Sequence, residues 1–260
     1  MLLAISVGNT HVTIGFTEGT RVVASSTAKT DTKKTDLEYT FDLLNALEET
    51  GINREDITGG VISSVVPQLS LIIVNVVQRL FHFTPYLVSA KKQHSLKIDI
   101  DHPTSLGANL LADAAAVKAE FGYPAVFIDM GAATSIGVLG ESGAYTGGAI
   151  LPGMYTSVRR LFASADGLSD LVLTGAETVL GKETLVSVNS GVLFGSASML
   201  DGMLDKIFAE LHLGESVPVV ITGSIATLVL PHMKHRCILK EHLALEGLSL
   251  LYYEHEEGKK

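Results

Sequence analysis

Two stretches of this chain, separated by about half its length, carry the same pattern of an apolar strand, a glycine and a second strand. Residues 2–8 read Leu-Leu-Ala-Ile-Ser-Val-Gly, and residues 125–131 read Ala-Val-Phe-Ile-Asp-Met-Gly. Small or hydroxyl residues follow each glycine, and a third strand comes after the next turn. The repeat predicts a duplicated α/β fold whose two turns face a shared cleft, although any two α/β halves also contain hairpins.

A helix is expected after the first three strands, starting at a capping box formed by Thr35 and Glu38. Gly51 is its expected stop signal. Four apolar residues recur at helical spacing and are expected on one face of this helix: Leu37, Phe41, Leu44 and Leu47.

Strands and helices alternate through the rest of the first half. Residues 60–66 form a predicted buried strand, and Pro67 opens a helix after it. An alanine-rich helix is predicted over residues 104–121. We expect an N-terminal half at residues 1–116 and a C-terminal half at residues 117–260, both ribonuclease H-like.

Composition limits the classes of partner. Nineteen Lys and Arg against twenty-eight Asp and Glu give a net charge of −9, which argues against a nucleic-acid footprint. The single cysteine, Cys237, excludes a disulfide framework and suggests a reduced cytosol. The uncharged residues 57–78 contain glycine, serine and proline, so they predict a strand and a helix rather than a membrane span. We expect a cytoplasmic protein with no membrane or nucleic-acid partner.

The two glycine turns suggest nucleotide binding. A Gly-Asn-Thr turn brings backbone N–H groups and side-chain donors close to phosphate oxygens. Phosphoryl transfer also needs carboxylates, and one aspartate is expected at the end of each first strand. The second repeat has Asp129, whereas the first has Ser6.

A separate cluster has two interpretations. His232, His235, Cys237 and His242 are possible metal ligands, but their spacing fits no standard zinc site. A surface loop is the simpler interpretation.

Several segments together resemble the signatures of type III pantothenate kinases. These segments are residues 5–10, 62–67, 103–109, 129–134, 147–153, 222–223 and 245–248. The resemblance implies two actin-like, ribonuclease H-like halves around a nucleotide cleft, and a homodimer. It also implies ATP-dependent phosphorylation of pantothenate, the first step of coenzyme A synthesis, with Mg²⁺–ATP as donor and a monovalent cation, K⁺ or NH₄⁺.

The resemblance also assigns roles to single residues. Asp129 matches the monovalent-cation position, and Thr184 matches a residue that reaches the substrate across the dimer. The positions matched to ATP binding are Ser6, Val7, Gly8, Asn9, Thr10, His11, Val12, Thr13 and Ala132. The positions matched to substrate binding are Ile100, Gly107, Ala108, Asn109, Leu110 and Thr184.

Five of these positions depart from the family pattern: Ser6 and Asn109 stand where the family has aspartates, Leu110 stands for Arg, Ile100 for Tyr and Ala132 for Thr. Asn109 lies at the general-base position and cannot take a proton, and the loss of a base costs about 10²–10⁴-fold in rate. Leu110 forms no ion pair with a carboxylate. We therefore expect a catalytically impaired kinase.

Two alternatives stay open. Asp113, one helical turn after Asn109, could act as a displaced base or could merely hydrogen-bond inside the fold. The chain could also be a non-catalytic nucleotide-binding or regulatory paralogue. The uncharged helix predicted over residues 185–200 fits a dimer interface and fits burial in the second half equally well.

Overall fold

The computed structural model describes residues 1–92, 94–162 and 175–259. The strands of the first sheet are β1 (Leu2–Val7), β2 (His11–Glu18), β3 (Arg21–Lys29), β4 (Gly59–Ser64) and β5 (Tyr86–Leu87). Their order is β3-β2-β1-β4-β5. β1 is antiparallel to β2 and parallel to β4, so the sheet is mixed.

The second sheet repeats this arrangement. Its strands are β6 (Ala125–Met130), β7 (Ala133–Leu139), β8 (Tyr145–Pro152), β9 (Val219–Thr222) and β10 (Ile238–Leu239). Their order, β8-β7-β6-β9-β10, matches the first sheet strand for strand. β6 and β9 are parallel, as β1 and β4 are. The predicted duplication of an α/β half is confirmed.

Helices follow the strands in both halves. The helices of the described residues are α1 (Asp36–Thr50), α2 (Pro67–Phe81), α3 (Ala108–Phe121), α4 (Met154–Phe162), α5 (Thr184–Glu210), α6 (Ala226–Val229) and α7 (Leu243–Glu257). A 3₁₀ turn at Pro103–Ser105 occupies the start of the helix predicted from residue 104. Over these same residues, none of the helices combines the length and the apolar character that a membrane crossing needs.

Helix α1 shows where sequence spacing works and where it fails. Its predicted start is confirmed, because Thr35 and Glu38 form both hydrogen bonds of the capping box. Of the four residues predicted to share one face, Leu37 and Phe41 are 58% and 55% exposed, and only Leu47 is buried. The helix packs through a stripe that includes Leu47 and three residues outside the predicted set: Tyr39, Leu43 and Ala46.

The two faces of the first sheet are covered by different helices. Ile5, Ile14 and Ile62 share one hydrophobic core with residues of α1 and α2. The opposite face packs on α7, whose Leu245 lies against Gly15. Helix α3 contacts both α7 and β4. Because successive residues of a strand point to opposite faces, Ser6 points to the side of α3 and α7.

Helices α3 and α7 pack with their backbones in contact. A Cβ atom on Gly247 would overlap the carbonyl group of Ala112, so only glycine fits at this crossing. Helix α7 is thereby packed closely on α3.

The chain divides into two compact units. Unit 1 comprises Met1–Gly122, Leu139–Gly147 and His242–Lys260, and unit 2 comprises Tyr123–Val138 and Gly148–Glu241. Each unit has its own hydrophobic core. The division into duplicated halves at residue 116 stays a prediction. The compact units group segments that pack together, and they do not show where one repeat ends and the next begins.

Candidate functional site

The first glycine turn joins β1 to β2 in unit 1. The N–H of Gly8 donates to the carbonyl of His11 at 2.9 Å, and the hydroxyl of Thr30 donates to the carbonyl of Gly8 at 2.7 Å. The side chains of Asn9, Thr10 and His11 are exposed. The turn is therefore held in shape while its polar side chains are available to a ligand.

The predicted ATP-contacting positions next to this turn fall into two groups. Val7 and Val12 are 0% and 2% exposed and belong to the hydrophobic core, so only their backbone atoms are left for a ligand. Ser6 and Thr13 point to the other face of the sheet and are in register with each other.

Ser63 extends this polar row onto the neighbouring strand, because it is in parallel register with Ser6. It is completely buried, and its Oγ has no hydrogen-bond partner among the described residues. Sequence analysis did not select Ser63 as a site residue, although it lies in one of the quoted motifs. Its signal is the register with Ser6, which only the folded sheet provides.

Helix α3 carries the positions matched to substrate binding. Gly107 is its N-cap and provides no side-chain cap. A Cβ on Gly107 would lie 3.9 Å from Cγ1 of Val65, which places this helix end beside the end of β4. Ala108 is buried, whereas Asn109 and Leu110 are half-buried.

The polar side chains in the first two turns of α3, Asn109 and Asp113, differ in their surroundings. The Oδ1 atom of Asn109 is buried, and within the described part of the chain it accepts no hydrogen bond. Asp113 lies one turn further along, is 0% exposed, and takes part in an interaction of its own. The two residues therefore differ in burial: Asn109 is half-buried at the start of the helix, and Asp113 is a core residue.

Ile100 lies in the segment that leads into α3. Ile98 pairs with Tyr145, and the N–H of Asp99 donates to the carbonyl of Tyr145 at 2.8 Å. Ile100 itself is half-buried. The segment is thus anchored to unit 1 immediately before the position matched to substrate binding.

The second glycine turn, in unit 2, carries a charge. Asp129 lies on β6 in parallel register with Thr222. Burial raises the pKa of Asp129 to about 6, because desolvation disfavours the charged form.

The residues after Asp129 are held by close backbone packing. The hydroxyl of Thr156 donates to the carbonyl of Ala132 at 2.9 Å. A Cβ on Gly153 would overlap the same carbonyl, so glycine is required there. Thr134 is 1% exposed, and its hydroxyl lacks a partner in the described ranges. Sequence analysis selected Ala132 as a site residue; Thr134 and Gly153 lie in quoted segments without being selected, and Thr156 lies outside them.

Thr184 is the exposed first residue of α5, the 27-residue helix of unit 2. Further along α5, Gly191 and Gly195 help to line a groove of about 220 Å³. Its apolar lining comes from α4 and α5: Met154, Val158, Val192 and Met199. Sequence analysis predicted an uncharged helix over residues 185–200 but not the groove.

The histidine and cysteine cluster forms an anchored loop. Asp201 accepts hydrogen bonds from the backbone N–H groups of Lys234 and His235, and Nε2 of His235 lies 2.8 Å from Asp205. Burial and the charge of Asp201 raise the pKa of the Cys237 thiol to about 12. No group of three or more His, Cys, Asp or Glu able to hold a metal occurs in residues 1–92, 94–162 and 175–259.

Comparison with known proteins decides the family. The sequence profile of type III pantothenate kinases matches residues 2–206. A type III pantothenate kinase of Halalkalibacterium halodurans is 32% identical over 253 residues, covering 97% of this chain and 98% of that protein. A type III pantothenate kinase of Roseiflexus sp. is 34% identical over 252 residues, with 97% and 98% covered. The chain belongs to the type III pantothenate kinase family.

Solved structures show the fold. The activator of 2-hydroxyisocaproyl-CoA dehydratase from Clostridium difficile, with bound ADPNP, superposes with a TM-score of 0.61 at 13% identity, covering 99% of this chain and 96% of that one. A putative Baf family transcriptional activator from Campylobacter jejuni gives 0.58 at 15% identity, with 98% and 99% covered. The expected actin-like, ribonuclease H-like fold with duplicated halves is confirmed.

Proposed function

We propose that this chain binds ATP and pantothenate and transfers the γ-phosphoryl group at least about a hundredfold more slowly than relatives that keep both motif aspartates. Family membership supports the use of ATP and the reaction class. The observation that carries the reduced rate is Asn109, an amide with an open acceptor atom at the position matched to the general base.

The proposed chemistry follows from that atom. The acceptor hydroxyl oxygen of pantothenate forms a bond to the γ-phosphorus, the bond from this phosphorus to the bridging oxygen breaks, and ADP leaves. Oδ1 of Asn109 accepts a hydrogen bond from the hydroxyl and orients it. An amide oxygen does not take the proton at neutral pH, so the proton passes to water. Orientation is retained and base catalysis is lost.

A cation fits Asp129 better than it fits Ser6. Burial disfavours the charged form of the Asp129 carboxylate, and a monovalent cation, K⁺ or NH₄⁺, would offset this desolvation. The hydroxyl of Thr134, on the neighbouring strand β7, is an oxygen atom without a hydrogen-bond partner among the described residues. Mg²⁺ would be held mainly by ATP phosphates and water, since Ser6 provides no charge. Bound cations would neutralise charge on the phosphates.

A second candidate is a nucleotide-binding or regulatory protein without kinase activity. The neutral residues Ser6, Asn109 and Leu110 favour it, because all three depart from the family at matched site positions. This candidate function predicts that ATP raises the melting temperature and that no phosphate is transferred.

We also propose that two copies of the chain associate through α5, and that the protein works in the cytoplasm. The exposed residues Thr184, Leu185 and Val186 at the start of α5 support the first proposal. Sedimentation of the purified chain measures its oligomeric state, and a monomer at micromolar concentration would contradict it.

One pair of measurements tests the proposed function. A coupled assay with ATP and pantothenate should give turnover at least about a hundredfold below that of an active relative. ATP with Mg²⁺ and K⁺ should raise the melting temperature, because a ligand that binds only the native state stabilises it. Turnover equal to that of the active relative would contradict impairment, and the absence of an ATP response would contradict nucleotide binding.

A further inference from the structure

The elements of unit 1 that carry the substrate-matched positions have no lysine or arginine close to those positions in the sequence, since the first one in α3 is Lys118, eight residues after Leu110. The chain has neither between Lys97 and Lys118, and β1, β2 and β4 have none. The same stretch carries three aspartates: Asp99, Asp101 and Asp113. An anionic group bound beside Asn109 would therefore meet neither lysine nor arginine from these elements, and the basic side chain between Lys97 and Lys118 is the exposed His102.

What this region offers instead is neutral hydrogen-bonding capacity. Oδ1 of Asn109 and Oγ of Ser63 are both buried, and neither has a partner among the residues described. Helix α3 contacts β4, the strand of Ser63, and the Cβ position of Gly107 lies 3.9 Å from Val65. Nearly all buried polar atoms in folded proteins have a hydrogen-bond partner. These two atoms therefore indicate that a ligand group or a water completes the site.

The start of α3 is the electropositive feature of this region. Gly107 leaves the first N–H groups of the helix without a side-chain cap. A helix terminus carries only about half a unit charge, which is weaker than a full cation. It does not replace an ion pair for a carboxylate taken out of water, because an unpaired buried charge is strongly disfavoured.

We propose that the acceptor site of this chain selects an uncharged pantoyl compound, in which an amide or an alcohol replaces the carboxylate of pantothenate. The proposal rests on the proposed function, because the pantoyl group is taken from the substrate of the family. It refines that function by naming the substrate class. Leu110 is the residue that determines this specificity, since it is half-buried and follows Asn109 directly.

Binding of two compounds tests the proposal. Pantothenate and pantothenol, its alcohol analogue, are titrated calorimetrically into the full chain with Mg²⁺, K⁺ and a non-hydrolysable ATP analogue. Wild type should bind pantothenol at least about tenfold more tightly. Leu110→Arg should reverse this preference by providing a cation for the carboxylate. Equal or tighter binding of pantothenate by wild type, or binding of neither compound, would overturn the proposal.

Two further variants control the interpretation. Leu71→Arg adds the same charge at a residue of α2 that is 69% exposed, and it should leave the wild-type preference unchanged. Lys182→Ala removes the exposed cation two residues before Thr184. Tight pantothenate binding that this variant abolishes would place the carboxylate at Lys182 and contradict the proposal.

The outcome is separable from that of the proposed function. Without an ATP-induced rise in melting temperature and without phosphate transfer to either compound, the proposed function fails. An ATP response with slow transfer that favours pantothenate over pantothenol leaves the function standing and rejects only the neutral substrate.

Discussion

The two glycine turns occupy equivalent places in equivalent sheets and differ in charge. Ser6 is in parallel register with Ser63, and Asp129 is in parallel register with Thr222. Each first strand therefore places its polar residue beside a hydroxyl residue of the fourth strand. One turn has a hydroxyl group where the other has a buried carboxylate. The comparison teaches that the backbone frame of a duplicated site persists when its charge is confined to one copy.

The frame is held in a similar way in both copies. Thr30 donates its hydroxyl hydrogen to the carbonyl of Gly8, and Thr156 donates to the carbonyl of Ala132. Thr30 follows β3, whereas Thr156 lies on α4. Each turn is thus supported by one threonine hydroxyl, although the two threonines belong to different elements.

The largest expected effect comes from the charged turn. Asp129→Asn should weaken ATP binding in Mg²⁺ and K⁺ by more than about a hundredfold, because it removes a buried charge that has no substitute on β6. Ser6→Ala should weaken it by less than about tenfold, since only a neutral group is lost. Titration calorimetry measures both values. Similar losses in the two variants would mean that the turns do not differ in their contribution.

The pH dependence of the free energy of unfolding distinguishes the contributions of the two turns in the absence of any ligand. Burial raises the pKa of Asp129 from 3.8 to about 6, so the folded state binds this proton more tightly than the unfolded chain does. The free energy of unfolding of wild type relative to Asp129→Asn should therefore fall between about pH 4 and pH 7, by at most about 3 kcal/mol. The hydroxyl of Ser6 does not titrate in this pH range, so it adds no pH dependence to the free energy of unfolding. Urea unfolding at both pH values measures the difference, and a constant difference would contradict the account.

The Asp113→Asn variant tests whether Asp113 acts as the general base in the first copy. Because Asp113 is fully buried and already engaged, we expect a loss of about 1–3 kcal/mol in stability. Residual phosphate transfer should change by less than about threefold. Loss of transfer in a variant that keeps its fold would make Asp113 the proton acceptor.

The smallest effect is expected where the turns are alike. Thr30→Val and Thr156→Val each remove one hydrogen bond to a turn carbonyl, so each should lower the free energy of unfolding by about 0.5–1.5 kcal/mol. Thr40→Val, which removes a hydroxyl bond to the carbonyl of Asp36 within α1, is the matched control and should leave ATP binding unchanged. A much larger loss for one turn than for the other would show that the frames are not equivalent.

Local features of the fold could be predicted from the sequence. The capping box of Thr35 and Glu38 depends on residues three positions apart, and it forms as expected. The buried face of α1 could not be predicted, because the helix has two apolar stripes and the sheet determines which one packs. Spacing alone also does not reveal that α7 packs on the first sheet, where Gly247 meets Ala112.

The candidate site residues also divide into those that the sequence predicts and those that only the folded structure reveals. Motif spacing selects Ser6, Asn109 and Asp129 without coordinates, because each lies within one of the short segments that resemble the family signatures. The buried hydroxyl of Ser63 becomes significant only through its register with Ser6 and the contact of α3 with β4. Relations between distant segments depend on packing, and sequence periodicity does not contain them.

Restoring charge to the first copy tests the central claim most directly. Ser6→Asp, Asn109→Asp and Leu110→Arg are combined, and single-turnover phosphate transfer from ATP to pantothenate is compared with that of wild type and of each single variant. The account predicts a gain of at least about a hundredfold for the triple variant and little gain for any single one, because such groups act as a unit. A folded triple variant that binds ATP and transfers phosphate no faster than wild type would contradict it.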